Sequence, residues 1–130
     1  MGKTSYLDKI LVIGETCTDV FCYGRVERLC PEAPAPVFNP VAEINNPGMA
    51  KNVQKNVEAL GVACDLVTND NWPNITKTRY VHNNTNQMFV RVDKNDDIIE
   101  RIKILDSIDY EKYALVIISD YDKGFLTKED

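Results

Sequence analysis

The chain has 130 residues, 44% of them hydrophobic and 27% charged, with a formal net charge of −5. This is the size and composition of one compact folded domain rather than a disordered segment. The acidic balance argues against an extended nucleic-acid footprint, although a local basic pocket for a small anion is compatible with it.

No apolar stretch approaches the length of a membrane helix, and the start lacks the apolar run and small-residue cleavage site of a secretory leader. Met1-Gly2 is not a myristoylation signal, because Tyr6 stands where Ser or Thr is required. Gly2-Lys3-Thr4-Ser5 lacks the upstream glycine and the preceding strand of a phosphate loop. Cys17, Cys22, Cys30 and Cys64 match no zinc or redox spacing, and His82 is the sole histidine, so no metal site is expected. The expectation is a cytoplasmic, soluble protein with reduced and mostly buried thiols and no nucleic-acid or membrane partner.

Lys9-Ile10-Leu11-Val12-Ile13-Gly14 is a short apolar run closed by glycine, the pattern of a buried parallel strand, and it leads into the polar Glu15–Asp19. From Val20 to Ile44 the chain reads as strand but carries Pro31, Pro34, Pro36 and Pro40, which suit an edge or a small projecting sheet. Gly48 to Gly61 reads as a helix, with Val53, Val57 and Leu60 on one face and Gly61 as a cap. Ala63–Thr68 is another short strand. Thr76–Asp93 reads as a hairpin around the turn-forming His82-Asn83-Asn84-Thr85-Asn86. Ile98–Tyr113 is weakly helical, and Ala114–Ile118 is a second buried strand running into Ser119-Asp120-Tyr121-Asp122-Lys123-Gly124. This order implies an α/β domain with a subsidiary antiparallel element. Parallel sheets bind ligands beyond the carboxyl ends of their strands, which puts Asp19, Asp120 and Lys123 near the expected crevice.

Several blocks resemble the PfkB/ribokinase-type sugar kinases, and in particular the heptose-phosphate kinases of ADP-heptose synthesis. Gly14-Glu15-Thr16-Cys17-Thr18-Asp19, then Tyr23-Gly24-Arg25 and Pro31-Glu32-Ala33-Pro34-Ala35-Pro36-Val37, is similar to the opening of that family. Pro47-Gly48-Met49-Ala50-Lys51-Asn52-Val53, continuing to Leu60-Gly61, resembles its first glycine signature. Thr76-Lys77-Thr78-Arg79, Gln87 to Asp93, and Ser119-Asp120-Tyr121-Asp122-Lys123-Gly124 resemble its later blocks. They occur in family order across nearly the whole chain.

The resemblance implies a partial ribokinase-like three-layer sandwich over 1–130, with a small antiparallel β lid formed by segments about 20–45 and 76–93. It assigns Asp19, Gly48 and Asn52 to sugar hydroxyls. A carboxylate can accept hydroxyl hydrogens, an amide can do both, and glycine admits close backbone approach. It makes Arg79, Arg91 and Lys77 candidates for a phosphate already on the substrate, where a guanidinium matches phosphate oxygens. It sets Lys123 near the transferred phosphoryl group, makes Asp120 a further substrate-site candidate, and places Glu32 in the lid. The implied partners are a small-molecule sugar phosphate and a second copy joined through the lid, and the implied cofactors are ATP and Mg²⁺. Each residue also has a plainer reading: Asp19 as a turn residue, Asn52 as a helix-start polar group, Glu32 in a stiff turn, Arg79 and Arg91 as solvated strand residues, Asp120 and Lys123 as a salt bridge.

Three departures from the pattern follow. Met49 stands where the signature has its second glycine. Only a short linker with Trp72-Pro73 joins Thr68 to Thr76, where the family has a helix and strand. The second family signature, with the catalytic base and nucleotide pocket, is expected beyond Asp130, so no catalytic residue is assigned here and the chain alone is expected not to be a competent kinase. Two functions remain open: the sugar-binding half of a carbohydrate kinase, or a noncatalytic sugar-binding or lid-mediated dimerisation module.

Overall fold

A computed structural model describes residues 8–130. The Gly2–Ser5 and Tyr6 readings lie outside the described residues. The fold is α/β as expected, a parallel sheet with a subsidiary sheet, but only one face of the parallel sheet carries a helix, so the described residues do not form the expected three layers.

Strand β1 (Ile10–Gly14) lies at the centre of a three-stranded parallel sheet, between β4 (Cys64–Val67) and β7 (Leu115–Ser119). The period-2 alternation of β1 decides what covers each face. Val12 packs with Ala50, Val57 and Cys64, so helix α1 (Ala50–Ala59) closes that side. Leu11 and Ile13 pack with Ile75, Ile99, Ile102 and Phe125 on the other.

That second face carries no helix, which corrects the helical reading of Ile98–Tyr113. The segment is irregular, with single 3-10 turns at Leu105–Ser107 and Tyr110–Lys112. Five isoleucines stiffen its side chains, and its Ser and Asp residues compete for backbone groups. The Ile102 amide donates to the Phe125 carbonyl at 2.9 Å, and the Ser107 hydroxyl to the Ile104 carbonyl at 2.8 Å. Burial of Ile99 and Ile102 anchors the stretch through tertiary contacts.

The second sheet has four strands in the order β3-β2-β5-β6: β3 (Pro36–Met49), β2 (Thr16–Leu29), β5 (Thr76–His82) and β6 (Met88–Lys94). It is mixed rather than purely antiparallel. β2 pairs antiparallel with β3, and β5 with β6, but β2 and β5 run parallel. Prolines 36, 40 and 47 fall on the edge strand β3, where a missing donor is tolerated. The hairpin expected at Thr76–Asp93 is present; the His82 Nδ1 accepts the Asn84 and Thr85 amides, and Asn86 takes a positive φ.

Candidate substrate site

β2 begins only two residues after β1 ends, so the four-stranded sheet rises directly from the carboxyl end of the parallel sheet. Asp19 therefore lies inside a strand, in register with Asn46 and Lys77, and not in a loop after β1 as the sequence suggested. The junction is held by buried polar groups. Asn69, just past β4, accepts the Thr16 amide at 2.8 Å and donates to the Thr16 carbonyl at 3.3 Å, replacing a strand neighbour where β4 has stopped.

Side chains in register share a face, so Asp19, Lys77 and Asp93 project together, as do Phe21, Arg79 and Arg91 one pair further on. The Asp19 Oδ1 accepts from Arg79 Nη1 at 3.0 Å, and that guanidinium lies 5.2 Å from the Phe21 ring centroid. Arg91 forks onto Asp93 through Nε and Nη2 at 2.9 and 3.0 Å. Lys77 donates to Asp93 at 3.4 Å and to Asp96 at 3.0 Å, and Lys123 donates to Asp96 at 2.7 Å. One file of ion pairs thus runs Arg91, Asp93, Lys77, Asp96, Lys123. The bond from Lys123 is the main cause holding the Asp96 carboxyl below its ordinary range, and the same bond raises the Lys123 ammonium.

Gly48 lies opposite Cys17 on β3, directly under the Asp19 carboxylate. Met49 takes φ 59° and ψ −130° at the start of α1, a backbone region that glycine occupies freely and a side chain occupies under strain. The position that departs from the glycine signature has thus kept a glycine-favouring conformation. Asn52 is exposed in the first turn of α1. Asp120 is exposed and its Oδ1 accepts the Asp122 amide at 2.9 Å, closing the turn after β7.

Asp19, Gly48 and Arg79 are thus in direct proximity, and the ion-pair file brings Arg91 and Lys123 alongside. Glu32 is not among them. It sits in the exposed turn between β2 and β3, ten residues or more along β2 from Asp19, which at the rise of a strand is roughly 30 Å. Two residues escaped the sequence reading. Asp96 follows the hairpin in an Asn-Asp-Asp turn, and nothing in its spacing announces two lysine partners. Glu15 is fully buried; its Oε1 accepts the Lys123 amide at 2.9 Å while Oε2 has no partner. Its place directly after the β1 glycine was the available signal.

Among curated proteins the chain is 31% identical to the bifunctional protein HldE of a Nitratiruptor species, covering 93% of this chain and 32% of that protein. It is 32% identical to HldE of a Helicobacter pylori strain, covering 95% of this chain and 33% of the relative. Nearly the whole chain is thus similar to part of the HldE proteins, in line with the resemblance carried by its motif blocks. It spans about a third of the length of these relatives. The first match extends over 152 aligned positions, more than the 130 residues present, so the relatives carry residues inside the matched region that this chain lacks. No family model matches the chain. Among solved structures, a carbohydrate kinase from Agrobacterium tumefaciens is similar at a TM-score of 0.41 and 15% identity, covering 68% of this chain and 36% of that one. A ribokinase from Thermotoga maritima gives 0.38 and 14%, covering 78% and 40%. No helix among the described residues is long and apolar enough to cross a membrane.

Proposed function

We propose that this chain carries the sugar-binding side of a carbohydrate kinase whose substrate is a sugar phosphate of the heptose-phosphate type. The observation that carries the reading is the Asp19 carboxylate, oriented by Arg79 at 3.0 Å above the unsubstituted backbone of Gly48. A carboxylate fixed in this way keeps lone pairs available for sugar hydroxyls. Arg79, Arg91, Lys77 and Lys123 supply cationic groups along the same face for a phosphate. Asn52, exposed in the first turn of α1, and Asp120, exposed just after β7, remain further candidates for sugar hydroxyls, and Glu32 lies far from Asp19 within one chain.

Carbohydrate kinases of this family use ATP and a metal ion. The residues described here do not fit a metal. They contain no group of three or more His, Cys, Asp or Glu able to hold one, and Asp19 and Asp96 are engaged by Arg79, Lys77 and Lys123. The chain alone binds its sugar phosphate and does not turn over ATP. Titration calorimetry with heptose 7-phosphate and separately with Mg-ATP tests this: sugar-phosphate binding is expected, and its absence, or sugar-dependent ATP turnover, would refute the reading.

A second role is favoured by a separate observation. Val41, Met88, Val90 and Val92 are about half exposed on the lid strands, which also carry a cleft of about 360 Å³ lined by Pro36, Phe38, Pro40, Tyr80, Phe89 and Val90. Apolar surface on a lid sheet with open edges suits pairing with a second copy. A dimeric mass at micromolar concentration is expected by light scattering, and a monomer would dismiss lid pairing.

A further inference from the structure

Asp96 uses its two carboxylate oxygens separately. Oδ1 accepts from Lys77 Nζ at 3.0 Å and Oδ2 from Lys123 Nζ at 2.7 Å. Lys77 belongs to lid strand β5 and Lys123 to the loop after β7, so a single carboxylate bridges the lid and the parallel sheet. The Lys77 side chain is only 11% exposed. An ammonium so shielded from water requires an anion beside it.

Two facing ammonium groups, one on each oxygen of a small anion, also describe how lysines hold a phosphate. The charge is matched as well. The connected file of Arg91, Asp93, Lys77, Asp96 and Lys123 carries one positive charge in excess. With Asp96 turned away the excess becomes two, the charge that neutralises a phosphate monoester near neutral pH. Asp96 lies in a short turn after β6, where Asn95 adopts a positive φ and its side-chain amide donates to the Asn74 carbonyl at 2.9 Å. The backbone is therefore fixed from Asn95, and rotation of the Asp96 side chain alone can clear the seat.

We propose that Lys77 and Lys123 form the seat for the phosphate group of the substrate, and that Asp96 is its built-in occupant, displaced when the phosphate arrives. This rests on the sugar-phosphate reading above and adds to it a residue that sets affinity by competition. The occupant keeps the lysines paired in the empty state and lowers the affinity for any phosphate that cannot displace it. Sugar contacts at Asp19 compensate for that displacement, so an ordinary anion binds weakly and a phosphosugar binds well.

The test compares the wild-type chain, Asp96→Asn, and Asp96→Asn combined with Lys77→Met or Lys123→Met, each checked for folding by circular dichroism. The probes are inorganic phosphate, heptose 7-phosphate and the unphosphorylated heptose, titrated by calorimetry. Asp96→Asn is expected to bind both phosphate probes about tenfold more tightly, the scale of one charge-assisted hydrogen bond, with the neutral sugar unaffected. Either lysine substitution is expected to abolish that gain. If the wild-type chain binds heptose 7-phosphate and Asp96→Asn binds it no better, Asp96 is only a scaffold residue; the occupant is overturned and the sugar-phosphate reading survives. If inorganic phosphate binds and responds to Asp96→Asn while the phosphosugar gains nothing over it, the seat stands and the sugar reading fails. Failure of every variant to bind phosphate at millimolar concentration overturns the seat itself.

Discussion

Asp19 occupies the space that a side chain at position 48 would need. A β-carbon on Gly48 would stand 2.7 Å from Asp19 Cγ, closer still to its Oδ2, and 3.1 Å from Cys17 Sγ. The glycine is thus required less for its own conformational freedom than to leave room for a carboxylate aimed at Arg79. Gly48→Ala is expected to push Asp19 off Arg79 and weaken sugar-phosphate binding while leaving the thermal transition of the domain in place. Asp19→Asn, which keeps the shape and loses the charge, is expected to cost about 1–3 kcal/mol of binding. Calorimetric affinities unchanged by both substitutions would dismiss Asp19 as a ligand.

Glu15 is the second position where packing and charge are at odds. Its carbonyl accepts the amide of Ala50, the first residue of α1, at 3.0 Å, and its Oε1 accepts the Lys123 amide at 2.9 Å. One buried residue therefore ties β1 to the helix start and to the loop after β7. Glu15→Ala leaves the Lys123 amide without its acceptor and is expected to destabilise the fold by about 1–3 kcal/mol in urea denaturation. Glu15→Gln keeps an acceptor oxygen for that amide and is expected to be much milder. Equal losses for the two would show that the side-chain volume matters and the hydrogen bond does not.

What the sequence disclosed followed its local signals. β1 is an unbroken apolar run, α1 has a one-sided valine pattern closed by Gly61, and the hairpin has its turn residues; each was readable because neighbours along the chain decide it. β7 was read as a buried strand from its apolar run, but it forms the edge of the sheet and leaves Leu115 and Ile118 more than half exposed, and Leu60 at the end of α1 is exposed rather than on the packed face. Ile98–Tyr113 was misread because its order comes from burial of Ile99 and Ile102 against strands far away in sequence. Asp19 was placed in a loop because a strand restarting at Thr16 depends on Asn69, more than fifty positions downstream, to complete its hydrogen bonds. The family motifs assigned Asp19 and Gly48 separately, and only the fold shows that one makes room for the other. Motif order gave Glu32 the same weight as Asp19, whereas the length of β2 separates them. Asp96 was invisible because its partners arrive from two different sheets.

The thiols give a prediction free of any ligand. All four cysteines are unpaired, and Cys17, Cys22 and Cys64 are buried while Cys30 is half-exposed in the turn after β2. Burial, reinforced by the charge of Asp19, pushes the Cys17 thiol up to about 11, and burial also raises Cys22 and Cys64. The thiolate is the reactive form, so these three are protected by both access and protonation. With a chromogenic disulfide reagent at pH 8, one thiol is expected to react promptly and three only on denaturation, with Cys30→Ser removing the fast phase. Two or more fast thiols would mean that the junction of β1 and β2 opens readily.

The last prediction concerns the far end of the parallel sheet. There the Tyr113 hydroxyl donates to Asp65 Oδ2 at 2.7 Å, and Lys9 pairs with the other oxygen at 2.9 Å. Burial alone would push the Asp65 carboxyl up, but the bonds from Tyr113 and Lys9 outweigh it and hold the group below its ordinary value. The same bond, with burial and the carboxylate charge behind it, pushes the Tyr113 hydroxyl up to about 12. An unfolded tyrosine ionises near 10. A group whose pKa is raised on folding stabilises the protein fully below its unfolded value, and loses that contribution as pH climbs through the folded one. Tyr113 therefore helps hold the segment before β7 to β4 at neutral pH, and its contribution fades between about pH 10 and 12. Absorbance titration is expected to show a phenolate step near pH 12 that is absent in Tyr113→Phe, and the variant is expected to lose about 1 kcal/mol of stability at pH 7. A Tyr113 step near pH 10 would mean that the bond to Asp65 does not persist in solution, and the stability difference between the two proteins should then vanish as well.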